Sequence, residues 1–265
     1  MLDLFWLHLV LAFVVGSIWV TLTTIAAERF GSKVGGFIGG LPSTAVVSFF
    51  FIGLSQTPVV ASQATTVFPL AYGITGLFLV LYATFANKGF WIALLGALTV
   101  WLVLTALIVL FDVKNYAFSL ITYGLILLLS LYVLERELKL TSAPRVRIQL
   151  SPWQIVWRGA FAGLMIAFVV FISRFGGPIF GGIFSAFPAV FISTLIISYQ
   201  SRGIQFSQAI TKPLLVTGMI TIVIYSIGVR YFYPAAGLIF GSLLAYAVAM
   251  ASAYFTGVII HKRLA

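Results

Sequence analysis

Four prolines stand inside otherwise apolar runs of this 265-residue chain: Pro42, Pro69, Pro188 and Pro213. A proline in a helix interior removes one backbone hydrogen bond and clashes with the carbonyl four residues back, at about 3 kcal/mol. Where no water is at hand, the freed carbonyl needs another partner. Hydroxyls gather at the same places. Ser43 and Thr44 follow Pro42, Thr66 lies just ahead of Pro69, Ser185 and Ser193 bracket Pro188, and Thr211 and Lys212 run into Pro213. Interrupted helices with free carbonyls, half-helix ends and hydroxyls can hold a polar or anionic solute without acid–base chemistry. Each proline also has a plainer reading, as a kink packed against a neighbour. The candidate substrate-binding residues are Pro42, Ser43, Thr44, Thr66, Pro69, Ser185, Pro188, Ser193, Thr211, Lys212 and Pro213.

Lys212 is the cation that lies inside an apolar run. A lysine at depth costs roughly 2.5–3.5 kcal/mol on insertion scales. It either turns inward or snorkels toward the headgroups on its four-carbon stem. The remaining reactive residues exclude more than they offer. There is no Cys, and the two histidines, His8 and His261, lie far apart. All five acids (Asp3, Glu28, Asp112, Glu135 and Glu137) fall at the ends of apolar runs or in a linker. No metal ligand set and no general acid–base couple is visible, so neither an enzyme nor a metal or cofactor is expected. Glu28 beside Arg29 suits an interfacial pair, and His8 an interfacial histidine. The glycine-rich stretches lie within apolar runs rather than after a strand, which speaks against a phosphate loop.

The elements that position these residues follow from composition. Hydrophobic residues make up 62% of the chain and charged residues 8%, with mean hydropathy +1.16. Soluble domains carry about 25% charged residues, so the expected class is an all-α polytopic membrane protein. A helix needs about 20 apolar residues to cross a bilayer. On that rule nine spans are expected: 4–27, 34–54, 60–86, 89–111, 116–134, 153–173, 178–199, 205–230 and 233–259. Residues 135–152 form the one long, charged linker. The net charge of +10 resides in the connections, and no nucleic-acid partner is implied. One face collects Arg29, Lys33, Lys88, Arg136, Lys139, Arg145, Arg147, Arg202, Lys262 and Arg263, and the other Lys114, Arg174 and Arg230. Arg158, just inside the sixth span, agrees with the basic face. The positive-inside rule then puts the N-terminus outside and the C-terminus in the cytoplasm; the expected location is the plasma (inner) membrane of a prokaryote.

The chain also resembles itself. Arg29-Phe30-Gly31, Gly35-Gly36 and Pro42 recur as Arg174-Phe175-Gly176, Gly181-Gly182 and Pro188, at offsets of 145 and then 146 residues. Pro69 matches Pro213 at 144, with Gln63-Ala64 and Gln208-Ala209 ahead of them. Residues 1–112 and 153–265 are therefore expected to be four-helix repeats, joined by a connector helix and linker over 113–152. One connecting helix inverts the second repeat relative to the first, a plan common among secondary transporters. Small residues at four-residue spacing, Gly35-Gly36 with Gly39-Gly40 and Gly181, Ser185, Ala189 and Ser193, suit close helix packing. Ser62, Thr66, Pro69, Gly73 and Gly76 share one face of the third span. Ser207, Thr211, Gly218, Thr221 and Tyr225 share one of the eighth, and both faces should look inward.

Each four-span unit resembles the small GlpM-like bacterial membrane proteins, so that the chain looks like two of them fused. The residues that carry the resemblance are Gly182-Ile183-Phe184-Ser185-Ala186-Phe187-Pro188 and Gly40-Leu41-Pro42-Ser43-Thr44, with the Thr-rich entries Thr65-Thr66 and Thr211. It implies a link with export of cell-surface polysaccharide. The four-plus-one-plus-four plan also resembles the drug/metabolite transporters in architecture. The first span lacks the central Glu of the small multidrug exporters, so proton-coupled export of cationic drugs is not implied. Two functions are expected of such a chain. One is a secondary transporter or flippase that moves a small anionic or polar solute, or a lipid-linked precursor, by alternating access between inverted repeats. The other is a non-transporting membrane subunit that assists polysaccharide export or envelope assembly. The partners are the lipid bilayer and the solute; a homo-oligomer is allowed but not required.

Overall fold

The computed structural model describes residues 2–29, 42–138 and 150–264. The start of the second expected span, Phe30 and Gly31, the Gly35–Gly40 stripe, most of the linker and the side chains of the Glu28–Arg29 pair lie outside the described residues. The described residues are predominantly helical, without a strand. In chain order the helices are α1 (Leu2–Arg29), α2 (Ser43–Ser55), α3 (Pro58–Ala64), α4 (Phe68–Phe85), α5 (Phe90–Leu110), α6 (Tyr116–Tyr132), α7 (Pro152–Gly176), α8 (Pro178–Ser185), α9 (Ala189–Ala209) and α10 (Thr211–Leu264). Seven described helices are long and apolar enough to cross a membrane, and Ser43–Ser55 is a shorter apolar one. These helices fit a multi-pass membrane protein.

Local chemistry explains where helices stop. Thr57 caps α3 by accepting from the Val60 N–H at 3.2 Å, and Asn115 caps α6 by accepting from Phe118 at 3.0 Å. Ser151 and Gln154 form a reciprocal capping box ahead of α7, with Pro152 in the first turn, where its missing N–H has no intrahelical partner to lose. Gly203 and Gly237 take positive φ, 79° and 74°, inside α9 and α10, a conformation that costs glycine least. The boundary expected near residue 230 thus falls at Gly237, because α10 absorbs Pro234 and carries on past it. A π-helical turn, Val133–Glu137, prolongs α6, so Glu135 stands on a helix end rather than in a free linker.

Several helices are apolar on their outer as well as their inner faces. On α6 the buried positions include Ser119, Tyr123 and Ser130, while Ile121, Leu125 and Leu128 are more than 60% exposed. On α5, Phe90, Ala93, Ala97, Trp101 and Thr105 recur at helical spacing on the buried side, with Ile92, Leu95, Leu102 and Val103 outside. Such apolar outer faces suit lipid and would be a large exposed patch in water. α1 and α7 run antiparallel: Phe5 meets Phe175 with ring centroids 5.8 Å apart, Gly163 sits on Ser17, and Gly159 on Thr21. The segment running from α3 into α4 does the same with the one running from the end of α9 into α10, with Tyr82 on Ser207, Gly76 on Met219, and Ser62 at Arg230.

Candidate functional site

The two interrupted regions meet where α8 crosses α3. A methyl on Gly182 would fall within contact distance of the Ala64 carbonyl oxygen and 3.2 Å from Val67 Cγ2. Beyond Gly182, the chain leaves helical geometry at Ala186–Phe187 before Pro188 opens α9. The break frees the Ala186 carbonyl. Thr75 Oγ1 on α4 donates to it at 2.6 Å and accepts from Trp101 Nε1 at 2.9 Å. The hydroxyl also lies 3.2 Å from its own Ala71 carbonyl, but its single proton favours the shorter contact. All the members of this relay are buried.

The second interruption, Thr65–Val67, separates α3 from α4, and Pro69 lies in the first turn of α4. Thr65 Oγ1 donates to the Ser62 carbonyl at 2.6 Å, and Ser62 Oγ donates to the Arg230 carbonyl at 2.8 Å. The Arg230 side chain turns to the same place. Its Nη1 donates to Thr66 Oγ1 at 3.2 Å and reaches Thr65 Oγ1 at 3.5 Å, while the guanidinium lies 4.0 Å above the Tyr116 ring.

The third interruption is at Ile210, between α9 and α10. Ser207 Oγ donates to the Leu195 carbonyl at 3.0 Å and is 2.7 Å from the Tyr82 hydroxyl, and Gln208 Nε2 donates to the Ala83 carbonyl at 2.8 Å. Lys212, one residue into α10, places Nζ 3.1 Å from Glu135 Oε1; its side chain is 20% exposed and that of Glu135 52%. Its charge is thus met by a carboxylate on the prolonged end of α6. Half-exposed pairs contribute about 0–1 kcal/mol. Lys212→Gln should therefore change stability by no more than about 1 kcal/mol. Lys212→Glu, which sets like charges together, should cost more, and Glu135→Lys added to it should recover the loss. Melting curves of the four proteins check the sign and the recovery.

The other sequence candidates divide by what their side chains do. Ser185, Ser193 and Thr211 donate to carbonyls of their own turn or neighbouring turn, Gly181, Val190 and Gln208 respectively. Pro42, Pro69 and Pro188 are buried, and Pro213 is half-buried. Ser43 and Thr44 are half-buried in the first turn of α2, and no described hydrogen bond links them to the other candidates. The expected inward faces are buried: Ser62, Pro69, Gly73 and Gly76 on one side, Ser207, Thr211, Gly218, Thr221 and Tyr225 on the other, with Thr66 half-buried. Their glycines seat large neighbours, Gly76 against Met219 and Gly218 against Phe191. No group of three or more metal-ligating side chains occurs among the described residues.

Two cations that the sequence reading used only for orientation make side-chain contacts between helices. Arg230 reads as a loop charge when the eighth span is ended at 230, and only the continuation to Gly237 places it within a helix. Pro234, tolerated in an apolar helix, was the available signal. Arg158 donates from Nη1 to Thr194 Oγ1 at 2.9 Å, and its buried Nε has no hydrogen-bond partner among the described residues.

Comparison with curated proteins and with solved structures gives no match. The resemblance to the GlpM-like proteins rests on the quoted motifs alone. A family model does match residues 9–115, from α1 to the residue that caps α6, and the family is described as a protein of unknown function, DUF3147.

Proposed function

We propose that the protein is a secondary transporter or flippase built from two inverted four-helix units, 1–112 and 153–265, which carry a small anionic or polar solute, or a lipid-linked precursor, between them. The observation that carries this reading is the meeting of interrupted helices from the two halves, Gly182 on Ala64, together with the breaks at Thr65–Val67 and Ile210 that lie ahead of the matched Pro69 and Pro213. Antiparallel pairing of α1 with α7 and of α4 with the first part of α10 supports an axis in the membrane plane, as inverted repeats require. In this reading Ser43–Ser55 and the two arms of α10 on either side of Gly237 are counted as separate spans beside the other long helices, which gives nine. A family model that spans 9–115 and stops at the connector supports the first unit as a module. The excess of Lys and Arg in alternate connections favours an external N-terminus in the inner membrane of a prokaryote.

The chain has no cysteine, which makes accessibility a clean test. Thr66→Cys and Gln208→Cys lie at breaks on opposite sides of the proposed path, and both positions are half-buried. In intact cells and in inverted vesicles, a membrane-impermeant maleimide should reach Cys at 66 from outside and Cys at 208 from inside. Labelling of both from one face would remove the proposed path. A second reading, a non-transporting subunit of a polysaccharide export or envelope assembly machine, is favoured by the filling of the centre. Phe49 stacks edge-on to Phe68 at 5.1 Å, Phe68 lies flat on Tyr72 at 5.4 Å, and Tyr225 closes the cluster. Protection of both cysteines from both faces would select it.

A further inference from the structure

We propose that Arg230, Thr66 and Tyr116 form a binding site for an oxyanion, a carboxylate or a phosphate group, at the break between α3 and α4. The inference deepens the transporter reading and rests on it for the anion's onward passage, though not for its binding.

Arg230 lies seven residues before the bend at Gly237, about 10 Å along the helix axis at 1.5 Å per residue. Its side chain is half-buried, and it runs sideways to Thr66 on another helix. A cation inside an apolar span marks a functional position unless a carboxylate neutralises it. Among the described residues the ion pairs engage Asp112 with Lys114 and Glu135 with Lys212, and neither involves Arg230. What surrounds the guanidinium is a frame. Tyr116 supports its face at 4.0 Å, Thr66 takes one N–H, and Ser62 ties the Arg230 backbone to α3. Such a frame orients the plane of the guanidinium and leaves Nε and Nη2 without a described protein acceptor. Those two donors are the fork that matches two oxygens of a carboxylate or phosphate. Thr66 Oγ1, which accepts from Arg230, keeps its own proton for the same ligand. Arg158 is the weaker candidate, because its Nε is closed off from any ligand by burial.

The test uses the full chain, purified in detergent and in nanodiscs of phosphatidylcholine, with inorganic phosphate and acetate titrated at constant ionic strength against chloride. Melting temperature and equilibrium binding are read. Wild type should gain stability saturably with phosphate or acetate. Arg230→Gln should abolish the gain, and Arg230→Lys, which lacks the planar fork, should weaken binding roughly tenfold. Thr66→Val retains the charge and should weaken binding severalfold, so the site is tested even where Arg230→Gln fails to fold. Nanodiscs containing phosphatidylglycerol separate the two sources. Stabilisation confined to them identifies a lipid headgroup, and stabilisation by free phosphate in phosphatidylcholine identifies a soluble anion. The proposal is overturned if Arg230→Gln or Thr66→Val responds as wild type does, or if wild type responds in none of the three media. Saturable phosphate binding with both cysteine positions protected keeps the site and ends the carrier. Two-sided labelling with no anion effect keeps the carrier and ends the site.

Discussion

Gly182→Ala should be the most damaging glycine-to-alanine change among the described residues. The methyl would press on the Ala64 carbonyl, a backbone oxygen of α3, rather than on the end of a flexible side chain. Val67 Cγ2, 3.2 Å away, closes the direction in which α8 could slide. Overpacking a tight contact costs typically 1–3 kcal/mol. The upper part of that range, about 3 kcal/mol, is expected here because helix backbones must separate for the methyl to fit. Gly124 is the internal control, since nothing lies within 4 Å of a methyl there. Gly124→Ala should be neutral or slightly stabilising, because alanine is the better helix former. Unfolding in mixed micelles by increasing SDS reads both. Equal effects of the two substitutions would show that α8 and α3 do not pack as closely as these distances require.

Thr75→Val should be the second large loss. The substitution preserves shape and removes one oxygen, yet it strands two buried groups: the Ala186 carbonyl freed by the break before Pro188, and the Trp101 indole N–H. Leaving a buried polar group unpaired costs about 1–3 kcal/mol. Interhelical hydrogen bonds in membranes lie toward the low end, with an average near 0.6 kcal/mol. For two orphans at once, a loss of about 2 kcal/mol is expected. Trp101→Phe removes one of the orphans, so adding it to Thr75→Val should cost less than the sum of the single losses. Additivity in that cycle would mean that the three groups do not act as one relay. Thr75→Ser, which retains the hydroxyl, should recover most of the stability.

The functional weight of the relay follows from its place. Thr75 holds the carbonyl at the α8–α9 break, on the helix whose other end starts at the Thr65–Val67 break. One helix therefore links two of the interruptions. In the proposed carrier this is the element on which rocking of the two units would act.

Much of this arrangement was legible in the residues. Hydropathy locates the long helices because a span must bury an apolar length set by the bilayer. The matched prolines locate three interruptions because a missing N–H acts on the helix that contains it. The structure adds the reason for helix ends at Asn115 and Ser151, which cap with their side chains, and at Gly177, whose φ is 90°. The boundary at residue 230 misled because hydropathy falls around Tyr231 and Tyr233, although α10 runs on through them.

Sequence by itself determined the class of molecule, the run of apolar helices and the points at which they weaken, all properties of a residue and its near neighbours. Tertiary structure alone decided which side chains meet. It turned Arg230 toward Thr66, 164 positions away, and set Lys212 beside Glu135. It also showed Ser185 and Ser193 donating to carbonyls of their own helices and Thr211 donating back to Gln208 at the end of α9. The reason is geometric: composition sets where a helix lies, whereas the direction of a polar side chain is settled by the helix packed against it.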